Sequence, residues 1–349
     1  MNEITSFHSV GAVVRNSLRM QPEHFQTSLA EPDAVKLFQS SVEMIEVETT
    51  SFCNRTCSFC PNSFIDRHSE KNSTPEEVWQ AILVGLKQVN YSGNFVWSRY
   101  SEPLSEKRIL DRIQDVHQAA PNCRVGINSN GDYLNADYLT ALEAAGLNRL
   151  FIDVYIPDDE TYSVEVGFKF LHKLSQRINR SHTVLETTPE VYCQLESDKM
   201  VINAIVRNSA SLKSIDMSDR GGLMENARKA TRTSPCYSPF KHLVIDWDGS
   251  IVLCCQVRSD SPSHQDVVFG KIGVDGLGLV DAYVRLAEWR NSLKAFGPKQ
   301  GPCDSCNVSE YEATPITQTL SSLLTQTNSP VTVATKSLMK PYLKNRHHW

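Results

Sequence analysis

The sequence predicts an α/β protein: a partial (β/α)6 barrel, TIM-like but short of closure, followed by a small C-terminal unit built on a β-hairpin and helices. Three observations predict it. Between residues 41 and 230, short strand-like apolar runs alternate with amphipathic segments of helical length, the pattern of right-handed βαβ units on a parallel sheet. About six such units fit there, and a closed barrel takes eight. Beyond residue 231 the alternation gives way to a hairpin pattern with widely spaced cysteines.

The 349 residues divide into an N-terminal extension (1–40), the barrel core (41–230), the C-terminal unit (231–310) and a tail (311–349). The extension is weakly periodic and reads as a short helical leader packing on the core. "EMIEVET" is the first strand, with Ile45 and Val47 on one face. "STPEEVWQAILVGLKQV" is a helix with Thr74 as N-cap, Pro75 at N1 and Glu77 in the capping box. Val78, Ile82, Leu86 and Val89 recur in it at helical spacing. "NFVWS" (94–98) is a strand, "SEKRILDRIQDVHQA" a helix and "RVGIN" (124–128) a strand. "NADYLTALEAAG" is a helix capped by Asn135 and stopped by Gly146. "RLFIDVYI" (149–156) is a strand, "YSVEVGFKFLHKLSQRI" a helix, and "HTVLE" (182–186) and "MVINAIV" (200–206) are further strands. In the C-terminal unit "HLVIDWDGSIVLCC" is a hairpin turning at Asp248–Gly249. The tail, rich in Thr and Ser and ending "KPYLKNRHHW", shows no packed-domain pattern and is expected to be solvated.

A net charge of -5 gives no reason to expect nucleic acid or an anionic membrane as partner. No apolar run approaches the roughly 18 residues that span a bilayer. The N-terminus carries an early Glu and lacks the basic and apolar regions of a signal peptide. A cytoplasmic protein is expected, and there thiols stay reduced. The ten cysteines therefore point to metal or catalytic use before disulfides.

Cys53, Cys57 and Cys60 lie just after the first strand, at the end where open parallel sheets bind ligands. A structural zinc site closes with four ligands. No fourth cysteine follows, and His68 is eight residues on in a charged loop. Three thiolates suit a cubane iron–sulfur cluster, leaving one iron open for an exchangeable ligand.

Cys-x3-Cys-x2-Cys after the first strand of a partial barrel, with Phe59 before the last cysteine, resembles the radical SAM superfamily. The resemblance implies a 4Fe–4S cluster whose open iron chelates S-adenosylmethionine, and a 5′-deoxyadenosyl radical that abstracts a substrate hydrogen. "SEPL" (101–104) resembles the family's Gly-Glu-Pro motif and implies cofactor contacts at Ser101 and Glu102. It departs from that motif in having Ser101 for glycine and Arg99–Tyr100 ahead of it. "INSNGD" (127–132) resembles the family's Thr-Asn-Gly stretch, implying Asn128 and Ser129. "FIDVYIPDDETY" resembles the fifth-strand motif, with Asp153 where a ribose-contacting Ser often lies.

The C-terminal unit contains Cys236, Cys254, Cys303 and Cys306, four sulfurs that a hairpin and a distant C-x2-C pair can bring to one centre. Spacing alone leaves a zinc ribbon and an iron–sulfur cluster both open. The layout resembles the Twitch domain, the shortened SPASM domain of many radical SAM enzymes. No cysteine follows Cys306, so the resemblance implies one auxiliary 4Fe–4S cluster with all four ligands from protein, used in electron transfer. Cys255, Cys123 and Cys193 remain. They are read as packed thiols, or one of them as the hydrogen-atom donor an epimerase would need.

Relatives in this family modify ribosomally made peptides or oxidise and epimerise aminocyclitols and sugars. The resemblance leans toward peptide modification: cross-linking, epimerisation or backbone excision. A dehydrogenase or epimerase of an aminocyclitol or sugar in natural-product biosynthesis is the alternative, and an inactive iron–sulfur or zinc scaffold is the non-enzymatic one. The partners implied are a peptide or small-molecule substrate, a reductant such as flavodoxin or ferredoxin, and for a peptide substrate a separate recognition protein.

Overall fold

A computed structural model gives the fold and describes residues 2–208, 217–227, 230–308 and 310–343. In chain order the elements are α1 (Asn2–Arg19), α2 (Glu31–Ser41), β1 (Met44–Val47), α3 (Glu76–Gln88), β2 (Asn94–Trp97), α4 (Ile109–Ala119), β3 (Arg124–Ser129), α5 (Ala136–Ala145), β4 (Arg149–Tyr155) and α6 (Val164–Ile178). There follow β5 (His182–Glu186), β6 (Val191–Leu195), β7 (Val201–Arg207), α7 (Ser238–Lys241), β8 (His242–Ile245), β9 (Ser250–Val252), β10 (Val268–Lys271), α8 (Leu279–Val284), α9 (Ala287–Leu293), α10 (Pro315–Leu324) and α11 (Pro330–Leu343).

All ten strands form one sheet, in the order β10-β9-β8-β1-β2-β3-β4-β7-β6-β5. The stretch from β8 to β7 is parallel, and β8 pairs with β1 through Met44↔His242 and Val47↔Ile245. The parallel run thus has six strands, the number expected of the partial barrel, but one member differs. His182–Glu186 is not a parallel barrel strand. It pairs antiparallel with β6, a strand the sequence reading missed, which pairs antiparallel with β7. The connection from 186 to 191 is too short for a crossover helix, so a hairpin is the only outcome. The hairpin's β8 takes the sixth parallel place.

Period-two alternation sorts each parallel strand. Ile45, Val47, Phe95, Trp97, Val125, Ile127, Leu150 and Ile152 are buried in the apolar core. Trp79 of α3 meets Phe95 edge-on at 6.1 Å. The alternate positions Glu46, Ser98, Asn128, Asp153 and Arg207 fall on the opposite face and are polar. A parallel strand in an ordinary doubly covered sheet would be apolar on both faces. This second face lines a cavity.

Local signals mostly act as read. Asn135 accepts from the Tyr138 N–H at 2.8 Å, and Gly146 takes the left-handed φ of 97° that ends α5. Gly249 has φ 87°, and a Cβ there would lie 2.9 Å from the Ile272 carbonyl oxygen, so the β8–β9 turn requires glycine. Thr74 does not cap α3. The N-cap is Pro75, and the Thr74 hydroxyl donates to the Glu48 carbonyl at 3.4 Å. The tail is not simply solvated. Thr314 caps α10, accepting from the Thr317 N–H at 3.1 Å, and α10 packs on α1. Lys336 of α11 donates to the Met20 carbonyl at 2.5 Å. Residues 344–349, the end of the basic terminus, lie outside the described residues.

Candidate active site

The carboxyl ends of β1, β2, β3, β4 and β7 surround a cavity of ≈ 260 Å³. Cys53, Cys57 and Cys60 line it from the loop after β1. So do Phe59, Ser101, Glu102, Asn128, Ser129 and Asp153, every cofactor contact expected from sequence. The residues that sequence reasoning missed include Glu46, Arg55, Tyr155, Arg207 and Arg220. Glu46 and Arg207 were findable: a charged residue alternating with core residues in a buried parallel strand marks a polar interior face.

The cysteine loop is pinned at several points. Cys60 N–H donates to the Cys57 carbonyl at 3.0 Å, a turn that brings two thiols together, and Cys53 N–H donates to the Arg67 carbonyl at 2.9 Å. Arg55 grips both oxygens of Asp132 at 2.6 Å, tying the loop to the segment after β3. Phe59 packs at a tilt against Tyr155 of β4 with centroids 5.0 Å apart. Burial pushes the Cys53 and Cys57 thiols up to about 12.

Glu102 is 2% exposed. Its carboxylate accepts from Ser129 Oγ at 2.7 Å, Asn130 N–H at 2.8 Å and Leu104 N–H at 2.9 Å. Burial raises it to about 7 against those three hydrogen bonds. It therefore joins the end of β2 to the end of β3 and leaves the main chain around Ser101 facing the cavity. Asp153 is raised by burial to about 6, opposed by Arg207 at 3.5 Å. Glu46 is raised by burial, and its Oε2 has no hydrogen-bond partner while Oε1 accepts from Ser98 Oγ.

The departure from Gly-Glu-Pro at Arg99–Tyr100 has a structural reason. Arg99 takes φ 85°, a left-handed conformation that costs a non-glycine residue about 1–3 kcal/mol. Its guanidinium pairs with buried Asp246 and donates to the Val257 carbonyl, so the C-terminal unit holds it there. Tyr100 is buried under the guanidinium of Arg258, 4.6 Å from its ring. A closed ring of polar contacts runs through this point. Arg258 donates to Asn62 Oδ1 at 2.8 Å, Asn62 Nδ2 to the Tyr100 carbonyl at 2.7 Å and Tyr100 N–H to Glu48 at 2.7 Å. Arg67 pairs with Glu48 at 3.4 Å and with Asp260 at 2.9 Å, and Asp260 returns to Arg258 at 2.8 Å. Two acids balance two guanidiniums, so the buried ring is neutral.

Cys236, Cys254, Cys303 and Cys306 gather in the C-terminal unit. Burial raises the Cys254 thiol, and the nearby thiols of Cys255, Cys303, Cys236 and Cys306 add to the shift. Arg232, 1% exposed and missed from sequence, donates to the Val308 carbonyl and lies 3.8 Å from Cys306 Sγ. Among the described residues no three His, Cys, Asp or Glu side chains close around one metal-sized point. The donor chemistry of both sets is thiol alone, and it fits iron–sulfur clusters, with Arg232 supplying a cation beside the second. Of the three candidate hydrogen donors, Cys255 lines the active-site cavity. Cys123 and Cys193 do not line it. They sit in the core, raised by burial to about 12 and about 11.

The sequence model of the radical SAM superfamily matches residues 47–189, and that of an iron–sulfur cluster-binding domain, SPASM, matches residues 236–307. The S-adenosyl-L-methionine-dependent 2-deoxy-scyllo-inosamine dehydrogenase of Niallia circulans is 25% identical over 267 residues, 76% of this chain and 92% of that protein. The GTP 3′,8-cyclase of Nautilia profundicola is 25% identical over 174 residues, 48% of this chain and 50% of that protein. Among solved structures, BtrN in complex with AdoMet and 2-DOIA aligns with a TM-score of 0.54 at 21% identity, covering 78% of this chain and 95% of that one. Its open conformation aligns at 0.50 and 20% identity, covering 77% and 94%. Likeness at this level shows the shared fold. Among the described residues no helix is long and apolar enough to cross a membrane.

Proposed function

We propose, of a chain that belongs to the radical SAM superfamily and carries a SPASM-type iron–sulfur domain, that it oxidises a C–H bond of a small, polar, hydroxylated substrate by two electrons. The observation that carries this is the polar inner face of the barrel: Glu46, Asp153, Arg207 and Arg220 share one cavity wall with the three cysteines. Charged groups at that depth suit a substrate bearing hydroxyl and amino groups. The relative whose length this chain spans to 92% is named for a dehydrogenase of such a compound. The sequence alone leaned toward a ribosomally made peptide; the charged wall and that relative move the reading to the small substrate.

Cys53, Cys57 and Cys60 would hold the 4Fe–4S cluster that binds S-adenosylmethionine, and Cys236, Cys254, Cys303 and Cys306 the auxiliary one. When bound, the first supplies the radical that takes a hydrogen atom and the second accepts the remaining electron. The protein's own work is orientation. Ser101, Asn128 and Ser129, set in place by Glu102, line the cofactor's side. Asp153, neutralised in part by Arg207, offers acceptor oxygens for ribose hydroxyls. Glu46 Oε2 accepts the proton of the substrate hydroxyl, so that loss of a hydrogen atom, a proton and an electron converts the carbinol to a ketone. A separate protein, such as flavodoxin or ferredoxin, supplies the reducing electron.

The test is anaerobic turnover of 2-deoxy-scyllo-inosamine and related aminocyclitols and sugars with S-adenosylmethionine and dithionite. A product two mass units lighter with one 5′-deoxyadenosine per turnover supports the reading. 5′-Deoxyadenosine that forms with none of these compounds converted contradicts it. Cys255 in the cavity wall favours a second reading, epimerisation, in which its thiol returns a hydrogen atom to the substrate carbon. In deuterated water that reaction leaves the mass one unit higher, and Cys255→Ala abolishes it.

A further inference from the structure

Arg220 enters the active-site cavity from a strained strap of chain. It takes φ 52°, and Gly221 and Gly222 follow at 64° and 86°, three successive left-handed positions. For a residue with a side chain that conformation is unfavourable and persists only where neighbours enforce it. The charges of Glu46 and Asp153 reach the guanidinium, but no carboxylate among the described residues forms an ion pair with it. The main chain beneath Arg220 is therefore what aims it.

The side chains that hold the strap belong to the C-terminal unit and to Asp219 itself. Asp219, 4% exposed, donates its N–H to Asn307 Oδ1 at 3.0 Å. Its carboxylate accepts from Ser305 Oγ at 3.1 Å and from the Gly221 and Gly222 N–H groups at 3.2 and 3.1 Å. Asn307 Nδ2 donates to the Met217 carbonyl at 2.9 Å. His264 Nδ1 accepts from the Arg258 N–H, so the neutral ring donates from Nε2 to the Gly221 carbonyl at 2.9 Å. Ser218 Oγ donates to Gln256 Oε1. Ser305 and Asn307 stand on either side of Cys306. The loop that supplies two thiols of the second set is therefore the loop that clamps Asp219. A separate open groove of ≈ 700 Å³, lined in part by Gly221, Gly222, Trp289 and Ser305, shares no residue with the active site and gives the strap room to retreat.

We propose that Asp219 is a positioning residue through which the second cysteine set, once it holds its cluster, places the Arg220 guanidinium at the first. Asp219 does not line the active-site cavity. It acts through Arg220, which shares that cavity with Cys53, Cys57 and Cys60 and whose charge reaches Cys60. A cluster on Cys303 and Cys306 fixes Ser305 and Asn307, and these fix Asp219. Without that frame the strained backbone relaxes toward the groove and withdraws the cation. The first site is then complete only in a chain whose second cluster is in place. This rests on both sets holding clusters, whatever the substrate.

The test is a redox titration of the reconstituted holoprotein, without S-adenosylmethionine, followed by electron paramagnetic resonance. The first cluster's signal is the one missing from the Cys53→Ala, Cys57→Ala, Cys60→Ala variant. In Arg220→Met the ratio of reduced to oxidised first cluster at a fixed solution potential should fall about tenfold, the order expected for loss of one partly buried cation. Asp219→Asn separates positioning from bare electrostatics. Deleting an acid favours reduction and raises that ratio; a displaced Arg220 lowers it, and the proposal expects the fall. Ser305→Ala changes no charge and should lower the ratio too, while Ser305→Thr keeps the hydroxyl and should restore it. If Asp219→Asn loses iron, the two Ser305 variants decide. A ratio that rises in Asp219→Asn, or that stays native in Arg220→Met or Ser305→Ala, with about eight irons per chain, overturns the proposal. About four irons in the native chain would instead refute the two-cluster reading, and the proposal with it.

Discussion

The loop that carries Cys53, Cys57 and Cys60 and the unit that carries Cys236, Cys254, Cys303 and Cys306 use the same donor atom in opposite surroundings. The first set opens onto a cavity lined by acids, guanidiniums and amides. Its three half-buried thiols are few enough to leave a cluster position free. The second set offers four thiols, Cys303 buried and the other three half-buried like the first set, with Arg232 against Cys306. Three thiols with polar walls beside them suit binding and chemistry; four protein thiols with a cation beside them suit electron transfer. The two regions are not independent. Asp246, Arg258 and Asp260 of the C-terminal unit hold Arg99, Asn62 and Arg67 around the first set.

Four substitutions test the contrast. Cys57→Ala should remove S-adenosylmethionine cleavage altogether, read as 5′-deoxyadenosine released, while the electron paramagnetic resonance signal of the second cluster persists. Retained cleavage would erase the distinction. Arg258→Met breaks the ring and should lower unfolding stability by about 3 kcal/mol, the lower end for a broken buried pair because the Asp260 side chain is 32% exposed. It should also weaken S-adenosylmethionine binding, although Arg258 does not line the cavity. Arg232→Met acts on the other region. Removing its charge should lower the second cluster's reduction potential by on the order of 100 mV in spectroelectrochemical titration, with S-adenosylmethionine affinity unchanged. Glu102→Gln loses charge-assisted hydrogen bonds to Ser129 and Asn130 and should cost about 1–3 kcal/mol, seen as weaker S-adenosylmethionine binding by calorimetry.

The smallest effect lies outside both regions. His24 is held neutral with a pKa lowered by burial to about 3, against 6.5 when unfolded. Below 6.5 the unfolded chain takes up a proton that the folded chain refuses, so stability falls as pH falls. Between pH 7 and 5.5 this amounts to about 1 kcal/mol, measured by denaturant unfolding, and it should vanish in His24→Gln. If the slope survives in that variant, another group is responsible.

Much of this was legible in the sequence because local chemistry declares itself. Cysteine spacing, the Asn135 cap and Gly146 needed no tertiary information, and the resemblance to the radical SAM superfamily carried Phe59, Ser101, Glu102, Asn128, Ser129 and Asp153. What was not legible depends on long-range pairing. Nothing local tells "HTVLE" that it will pair with "VYCQL" rather than follow a crossover helix, or tells "HLVI" that it will lie beside "MIEV". The Arg99–Asp246 pair joins residues 147 apart in the chain, and the Arg258–Asn62 contact joins residues 196 apart. The tail helices were partly readable, since Thr314–Pro315 is a cap followed by proline at N1, but their burial depends on α1.

The central claim is that the two cysteine sets hold two different clusters, one open and one closed. It is tested most directly by iron and sulfide per chain after anaerobic reconstitution, comparing the native sequence with Cys53→Ala, Cys57→Ala, Cys60→Ala. The account predicts about eight irons falling to about four, with the remaining signal unresponsive to S-adenosylmethionine. About four irons falling to none, with zinc retained, would contradict it: the C-terminal set would then be a zinc ribbon, and no protein-bound acceptor would remain for the second electron.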